Sequence, residues 1–336
     1  MKVAVCNAKS YDREFLQAAN RNFGHELVFF DSRLYEETQG MVAGFPCVCV
    51  FVNDTLNAAV LRKLASRGTR LIALRCAGFN NVDIQAAADL GIRIVRVPAY
   101  SPQSVAEHTA GLILMLTRHL HQAYNRVRNG NFALEGLLGF ELSGKTIGII
   151  GTGHIGAAVA RILLGFGCRL LGFDPRHDPA CVSLGLEYVA LERLYAESDI
   201  VTLHCPLNRQ THYLVDGEAI KLMKQGVMLI NTSRGATIDT RAVIEGLKSS
   251  KIGGLGLDVY EQEGDLFFQD LSSQVIQDDV FQRLLTFPNV VVTGHQGFFT
   301  AEALSSIANT TLHNISLCER GGECENEVTV ELLRTG

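Results

Sequence analysis

A chain of 336 residues, 47% apolar and 19% charged, has room for two domains with substantial cores, and its composition is neither disordered nor fibrous. A net charge of −5 gives no reason to expect nucleic acid or acidic membrane as a partner, and the apolar run AGLILMLT (110–117) is far short of a membrane span. Nine cysteines with no C-x-x-C pair suit free buried thiols in a reducing cytoplasm, not a disulfide framework or a metal site.

In chain order, KVAVC (2–6) has too short an apolar run for a signal-peptide core and reads as a first strand. ELVFF (26–30), CVCVFV (47–52), RLIAL (70–74) and IRIVR (92–96) continue the series, with helical patterns at 12–22, 55–67 and 82–90 between them. Continuously apolar strands joined by crossovers predict a parallel sheet covered on both faces. The pattern then changes. Ser101 as cap, Pro102 in the first turn and apolar residues at Val105, Leu112, Ile113, Leu116 and Leu120 predict one long helix over 101–130, finishing or breaking near Asn129–Gly130. Its basic group from Arg118 to Arg128 reads as a solvated face or a subunit contact. A second alternating series follows, with strands at 146–151, 169–174, 200–205, 227–232, 255–260 and 290–295 and a closing helix at 300–321. No repeat and no low-complexity linker separates the two series, so the chain is expected to pass between domains along helices, with hinge motion.

Within the second series, IGIIGTGHIGAAVA (147–160) reads as a buried strand, a glycine turn and a helix. Gly151 permits the tight turn, Gly153 lets a pyrophosphate approach the backbone, and Gly156 lets helix and strand pack closely. Free N–H groups and the positive end of the helix then face the phosphates. Strand context, more than the glycine pattern, separates this from an ordinary turn. The next strand ends in Asp174, whose carboxylate suits ribose hydroxyls and repels a 2′-phosphate, favouring NAD over NADP. Arg176 close by works against that preference.

A nicotinamide cofactor carries hydride, and hydride transfer to a keto acid requires a group that fixes the carboxylate and one that protonates the carbonyl oxygen. Arginine suits the first with its planar fork, and histidine the second with its titration near neutrality. NTSRGATID (231–239) puts Arg234 at a strand exit. GLDVYEQE puts Asp258 and Glu263 at the next, and VVVTGHQGF puts His295 at the one after. In a parallel sheet these exits share the ligand-binding edge.

The motifs RCAGFNNVD (75–83), VPAYSPQSVAEHTAG (97–111), GKTIGIIGTGHIG (144–156), LHCPL (203–207), NTSRGATID, LDVYEQE (257–263) and GHQGFFTAEAL (294–304) span nearly the whole chain. Together they resemble the D-isomer-specific 2-hydroxyacid dehydrogenases, closest to bacterial fermentative members that reduce pyruvate to D-lactate. The resemblance implies an α/β chain of two parallel-sheet domains. A flavodoxin-like substrate domain (1–100 and 299–336) is interrupted by a Rossmann-like NAD domain (101–298), which closes against it to exclude water. It implies that Arg234 orients the keto acid and that His295 is the acid/base. Glu263, the second acidic residue after Tyr260, would hydrogen-bond His295 and raise its pKa, leaving Glu261 structural. His154 and Ile155 would lend N–H groups to the pyrophosphate. Thr232 and Asp258 would lie near the nicotinamide, and Cys205, Pro206 and Thr211 near the adenosine. Gly78 and Phe79 would meet the substrate carboxylate, with Tyr100 and Phe298 walling the pocket. The resemblance also implies a homodimer through the helix at 101–130, with a tetramer left open. Two departures stand out: Gly297 where many members have alanine, and Asn208-Arg209-Gln210 in place of a commoner threonine-proline run. A dehydrogenase for a bulkier keto acid such as phenylpyruvate or hydroxypyruvate, and an NAD-sensing corepressor-like scaffold, remain open as other readings.

Overall fold

The structure, a computed structural model, describes residues 1–332. It divides into two compact units: Met1–Ser101 with the chain from Phe298 onward, and Pro102–Gly297.

The first unit is built on β1 (Lys2–Val5), β2 (Glu26–Phe29), β3 (Cys47–Val50), β4 (Leu71–Leu74) and β5 (Arg93–Val95), all parallel, in the order β2-β1-β3-β4-β5. Every residue of β3 and β4 is buried, as expected of strands covered on both faces. The covering helices are α1 (Ser10–Asn20), α2 (Ala58–Ser66), α3 (Ile84–Asp89) and the closing helix Ala301–Glu319. Leu16 and Ala19 of α1 share a core with Ala308, Leu312 and Ile315 of the closing helix.

The second unit opens with α4 (Pro102–Thr117) and α5 (Leu120–Arg128). Strands and helices then alternate: β6 (Thr146–Ile150), α6 (His154–Gly165), β7 (Arg169–Phe173), α7 (Pro179–Ser183), β8 (Glu187–Tyr188), α8 (Leu191–Glu197) and β9 (Ile200–Leu203). The series ends with α9 (Gly217–Leu222), β10 (Val227–Asn231), α10 (Thr240–Lys248), β11 (Ile252–Leu257), α11 (Asp279–Leu285) and β12 (Val290–Val292). The seven strands are parallel, in the order β12-β11-β10-β9-β6-β7-β8. Asp178, Asp216, Asp239 and Asp278 each cap the helix that follows by accepting its first N–H groups.

The sequence pattern expected one helix over 101–130 that ends near Asn129–Gly130. The structure interrupts it earlier, at Arg118–His119, where His119 takes a left-handed conformation (φ 50°). The cause lies downstream. Phe140 N–H donates to the Thr117 carbonyl at 3.2 Å, so the returning chain takes the acceptor that a continuing helix would have used. A Cβ at Gly139 would lie 2.1 Å from that carbonyl oxygen, so glycine is required for the approach. α4 buries Val105, Leu112, Ile113 and Leu116, whereas α5 buries no residue at all.

Candidate active site

Because all seven strands of the second unit run the same way, their carboxyl ends lie along one edge. The order of winding reverses between β6 and β9, which makes their two exits the switch point where such sheets take ligands. Gly151 leaves β6 with φ 89°, and a Cβ there would stand 2.6 Å from Cys205 N at the exit of β9. A Cβ at Gly156 would lie 2.0 Å from the Gly151 carbonyl oxygen, so α6 can start this close to the turn only with glycine. Gly153 caps α6 without a side chain, and nothing lies within 4 Å of where its Cβ would be. His154 and Ile155 open the helix, so its first N–H groups meet no side-chain acceptor and suit an anion.

Asp174, at the exit of β7, accepts from Thr152 N–H and Arg176 N–H at 2.8 Å each. Its two oxygens are thereby fixed, with lone pairs left for ribose hydroxyls. Thr152 is held in turn by the Tyr188 hydroxyl at 2.7 Å, and His177 stacks on the Tyr188 ring with centroids 3.9 Å apart. Past β9, Asn208 Oδ1 accepts from Gln210 N–H (2.8 Å) and Thr211 N–H (3.0 Å), while the Thr211 hydroxyl donates to the Pro206 carbonyl. The Asn-Arg-Gln run therefore makes its own asparagine-capped turn and keeps Pro206 and Thr211 together. Burial pushes the His204 imidazole down to about 3, so this ring at the exit of β9 is neutral.

His295 and Glu263 meet beyond β12 and β11, with Nδ1 and Oε1 2.8 Å apart. The other carboxylate oxygen of Glu263 accepts from Tyr260 N–H at 3.1 Å, which fixes the carboxylate against its own strand exit. His295 sits in the left-handed region at φ 54°, uncommon for a non-glycine residue. The Phe268 ring lies against it, centroids 5.8 Å apart.

Arg234 leaves β10 just before Gly235, where a Cβ would stand 2.1 Å from the Tyr260 carbonyl carbon. That close approach seats the arginine segment on the same Tyr260 backbone that holds Glu263. The guanidinium donates to Ser233 O at 2.7 Å. Glu261, two residues before Glu263, is engaged elsewhere: it accepts from Thr240 N–H at 2.9 Å and from the Tyr213 hydroxyl at 2.8 Å.

Asp258 is buried at the exit of β11. It accepts from the Thr293 hydroxyl and from Gln296 N–H and Gly297 N–H, at 2.8 Å for each amide. Burial acts to raise its pKa, but hydrogen bonds from His108 and Thr293 and the nearby His108 and His295 outweigh it and hold the carboxyl below its ordinary value. A Cβ at Gly297 would lie 3.0 Å from Asp258 Oδ2, so alanine there requires this carboxylate to give by a few tenths of an ångström. The Thr232 hydroxyl meets that of Thr109 on α4 at 2.9 Å. Since Thr109 donates to the Val105 carbonyl, Thr232 is the donor of this pair.

In the first unit, Gly78 and Phe79 follow β4, with the Arg96 guanidinium 5.1 Å over the Phe79 ring. Phe298 is buried, and the rings of Phe51, Tyr100 and Phe299 lie 5.9, 6.1 and 6.0 Å from it.

Residues 110–297 match the NAD-binding domain of the D-isomer specific 2-hydroxyacid dehydrogenases. The chain belongs to this family. NAD is its cofactor, and the bare helix start at Gly153 and the fixed Asp174 carboxylate fit that group. The chain is similar to the D-lactate dehydrogenase of Escherichia coli, with 56% identity over 328 residues, which cover 98% of this chain and 100% of the relative. The apo-structure of the E. coli D-lactate dehydrogenase superposes with a TM-score of 0.90 over 98% of this chain and 100% of that one, at 52% identity. A D-lactate dehydrogenase from Aquifex aeolicus, complexed with NAD and lactic acid, gives 0.85 over 95% and 96%, at 33% identity. Neither Tyr188 nor His108, Thr109 and Thr293 carries a local sequence signal, because each earns its place only through a partner distant in the chain.

Proposed function

We propose that the protein reduces pyruvate to D-lactate with NADH, using Arg234 to orient the substrate carboxylate and His295, paired with Glu263, as the acid/base. The observation that carries this reading is the 2.8 Å contact between His295 and Glu263 at the edge where the NAD-binding sheet takes its ligands. The similarity to D-lactate dehydrogenases supports the choice of substrate. NADH supplies the hydride. Glu263 holds the Nδ1 side of the imidazole, so the proton given to the substrate oxygen leaves from Nε2. The imidazolium formed in the reverse direction is stabilised by the same carboxylate. Arg234 binds the carboxylate through its planar fork and fixes which face of the carbonyl is presented. Asp174 holds the adenosine ribose, Gly151 to Gly156 with His154 and Ile155 hold the pyrophosphate, and Cys205, Pro206 and Thr211 border the adenine side. Thr232 and Asp258 border the nicotinamide. Gly78 and Phe79 supply backbone groups for the carboxylate, and Tyr100 and Phe298 wall the pocket.

The assembly taken with this reading is a homodimer through α5, whose Leu120, Tyr124 and Val127 are exposed. The cytoplasm is the compartment taken with this reading, consistent with nine free cysteines.

Loss of NADH absorbance with pyruvate, hydroxypyruvate and phenylpyruvate, followed by chiral analysis of the product, tests the proposal. Pyruvate is expected to give the highest kcat/KM and D-lactate the only product. L-lactate, or a clear preference for phenylpyruvate, contradicts it, and NADH binding without turnover on any acid favours the sensing scaffold. His295→Gln is expected to lower kcat by about 10²–10⁴-fold, the range of a positioned acid/base.

A further inference from the structure

His108 lies on α4, in a different element from every residue assigned to the chemistry, yet its Nε2 is 3.0 Å from Thr293 Oγ1 and 3.3 Å from Asp258 Oδ1. The Thr293 hydroxyl donates its proton to Asp258, so it can only accept from His108, and Nε2 therefore carries a hydrogen. Asp258 also accepts the amides of Gln296 and Gly297, on the far side of His295. These bonds bracket the acid/base residue: Thr293 is tied two residues before it, and Gln296 and Gly297 just after it. Between those ties His295 holds a φ of 54°, a conformation that persists only where the surroundings enforce it.

We infer that His108 is a positioning residue of this enzyme: through the Thr293 hydroxyl and the Asp258 carboxylate it locks the 293–297 turn that aims the His295 imidazole. The inference rests on the reading of His295 as the acid/base. The Nε2–H of His108 is shared between a hydroxyl and a buried carboxylate, and it ties this network to α4. Without it, Thr293 loses its donor, Asp258 loses part of its compensation, and the turn relaxes toward ordinary backbone angles. The titratable groups gathered at this turn are Glu263 and Asp258 from the exit of β11, His108 from α4, and His295 itself. A relaxed turn lengthens the contact between His295 and Glu263, so the protonated imidazole loses support.

The test compares parent, His108→Gln, His108→Leu, Thr293→Val and His295→Gln as full-length protein, with kcat, KM for pyruvate and NADH, and the pH profile of pyruvate reduction. His108→Leu keeps the volume and removes the donor, and is expected to lower kcat by about 10- to 100-fold, as small misplacements of a reacting group do. Its KM for NADH stays near the parent value, and reduction falls off at a lower pH than in the parent. His108→Gln, which returns an N–H at the same reach, restores most of the turnover and the parent pH profile. Thr293→Val reproduces the loss, and together with His108→Leu costs no more than either change alone, because both break one network. Where His108→Leu fails to fold, Thr293→Val and His108→Gln carry the same comparison. Parent turnover and an unmoved pH profile in folded His108→Leu or Thr293→Val overturn the inference, as do additive losses in the double variant. Activity retained in His295→Gln would instead overturn the proposed role of His295, so the two failures are distinguishable.

Discussion

In the five-stranded sheet, the exits of β1, β3 and β4 are tied to one another by a buried charge. Arg75 donates to the Asn7 carbonyl at 2.9 Å and to Asp12 at 3.1 Å, and lies 5.0 Å over the Phe51 ring. Asp54 accepts from Leu34 N–H at 2.7 Å and Phe51 N–H at 2.6 Å, although burial acts to raise its carboxyl. The seven-stranded sheet treats its edge differently. Glycines bring the backbone together at Gly151 and Gly235, and the charged side chains of Asp174, Glu263 and Arg234 are only partly buried. The same parallel architecture thus yields one edge closed by side chains bonding each other and one edge held by backbone, with polar groups left for ligands. Changes to the Arg75 and Asp54 network should therefore register as stability, and changes to Asp174, Glu263 and Arg234 as turnover or cofactor use.

The largest effect is expected at Arg75. Arg75→Met strands Asp12 and Asp54 in the interior, and breaking a buried pair in this way costs about 3–5 kcal/mol. Chemical denaturation reads that loss directly, and a change within experimental error would erase the contrast between the two edges. At the second edge, Asp174→Ser removes the carboxylate that two backbone amides hold in place. Charge-assisted hydrogen bonds of this kind correspond to about a 10- to 100-fold loss in kcat/KM for NADH, with discrimination against NADPH relaxed. An unchanged ratio of NADH to NADPH use contradicts the assignment of Asp174 to the ribose. A third effect concerns His204, whose folded value near 3 lies below its ordinary 6.5. The neutral ring contributes its full stability above about 6.5, and that contribution is lost progressively as pH falls toward 3. His204→Gln should lose less Tm between pH 7 and pH 4 than the parent, and parallel slopes would show that another group sets the acid limb.

What could be read from the sequence was local. Continuous apolar strands announce both parallel sheets, and the glycine turn at 151–156 identifies the nucleotide edge because strand, turn and helix follow at once. The GLDVYEQE stretch put Glu263 forward, and only the family resemblance set Glu261, the other acid after Tyr260, aside. The fold separates them, spending Glu261 on Thr240 and Tyr213 and giving Glu263 to His295. The break between α4 and α5 was hidden because its cause, the Phe140 amide, arrives from beyond the helix. β8, two residues long, is too short for any periodicity to announce. Thr293 reads as one more β-branched strand residue until His108, 185 residues earlier in the chain, is seen to reach it.

Glu263→Gln, followed by the pH profile of pyruvate reduction, bears most directly on the pairing of carboxylate and imidazole at the second edge. With the negative charge gone but the hydrogen-bonding shape kept, kcat should fall, and reduction, which consumes the protonated imidazole, should decline at a lower pH than in the parent. A profile superimposable on that of the parent, at parent turnover, would contradict the account.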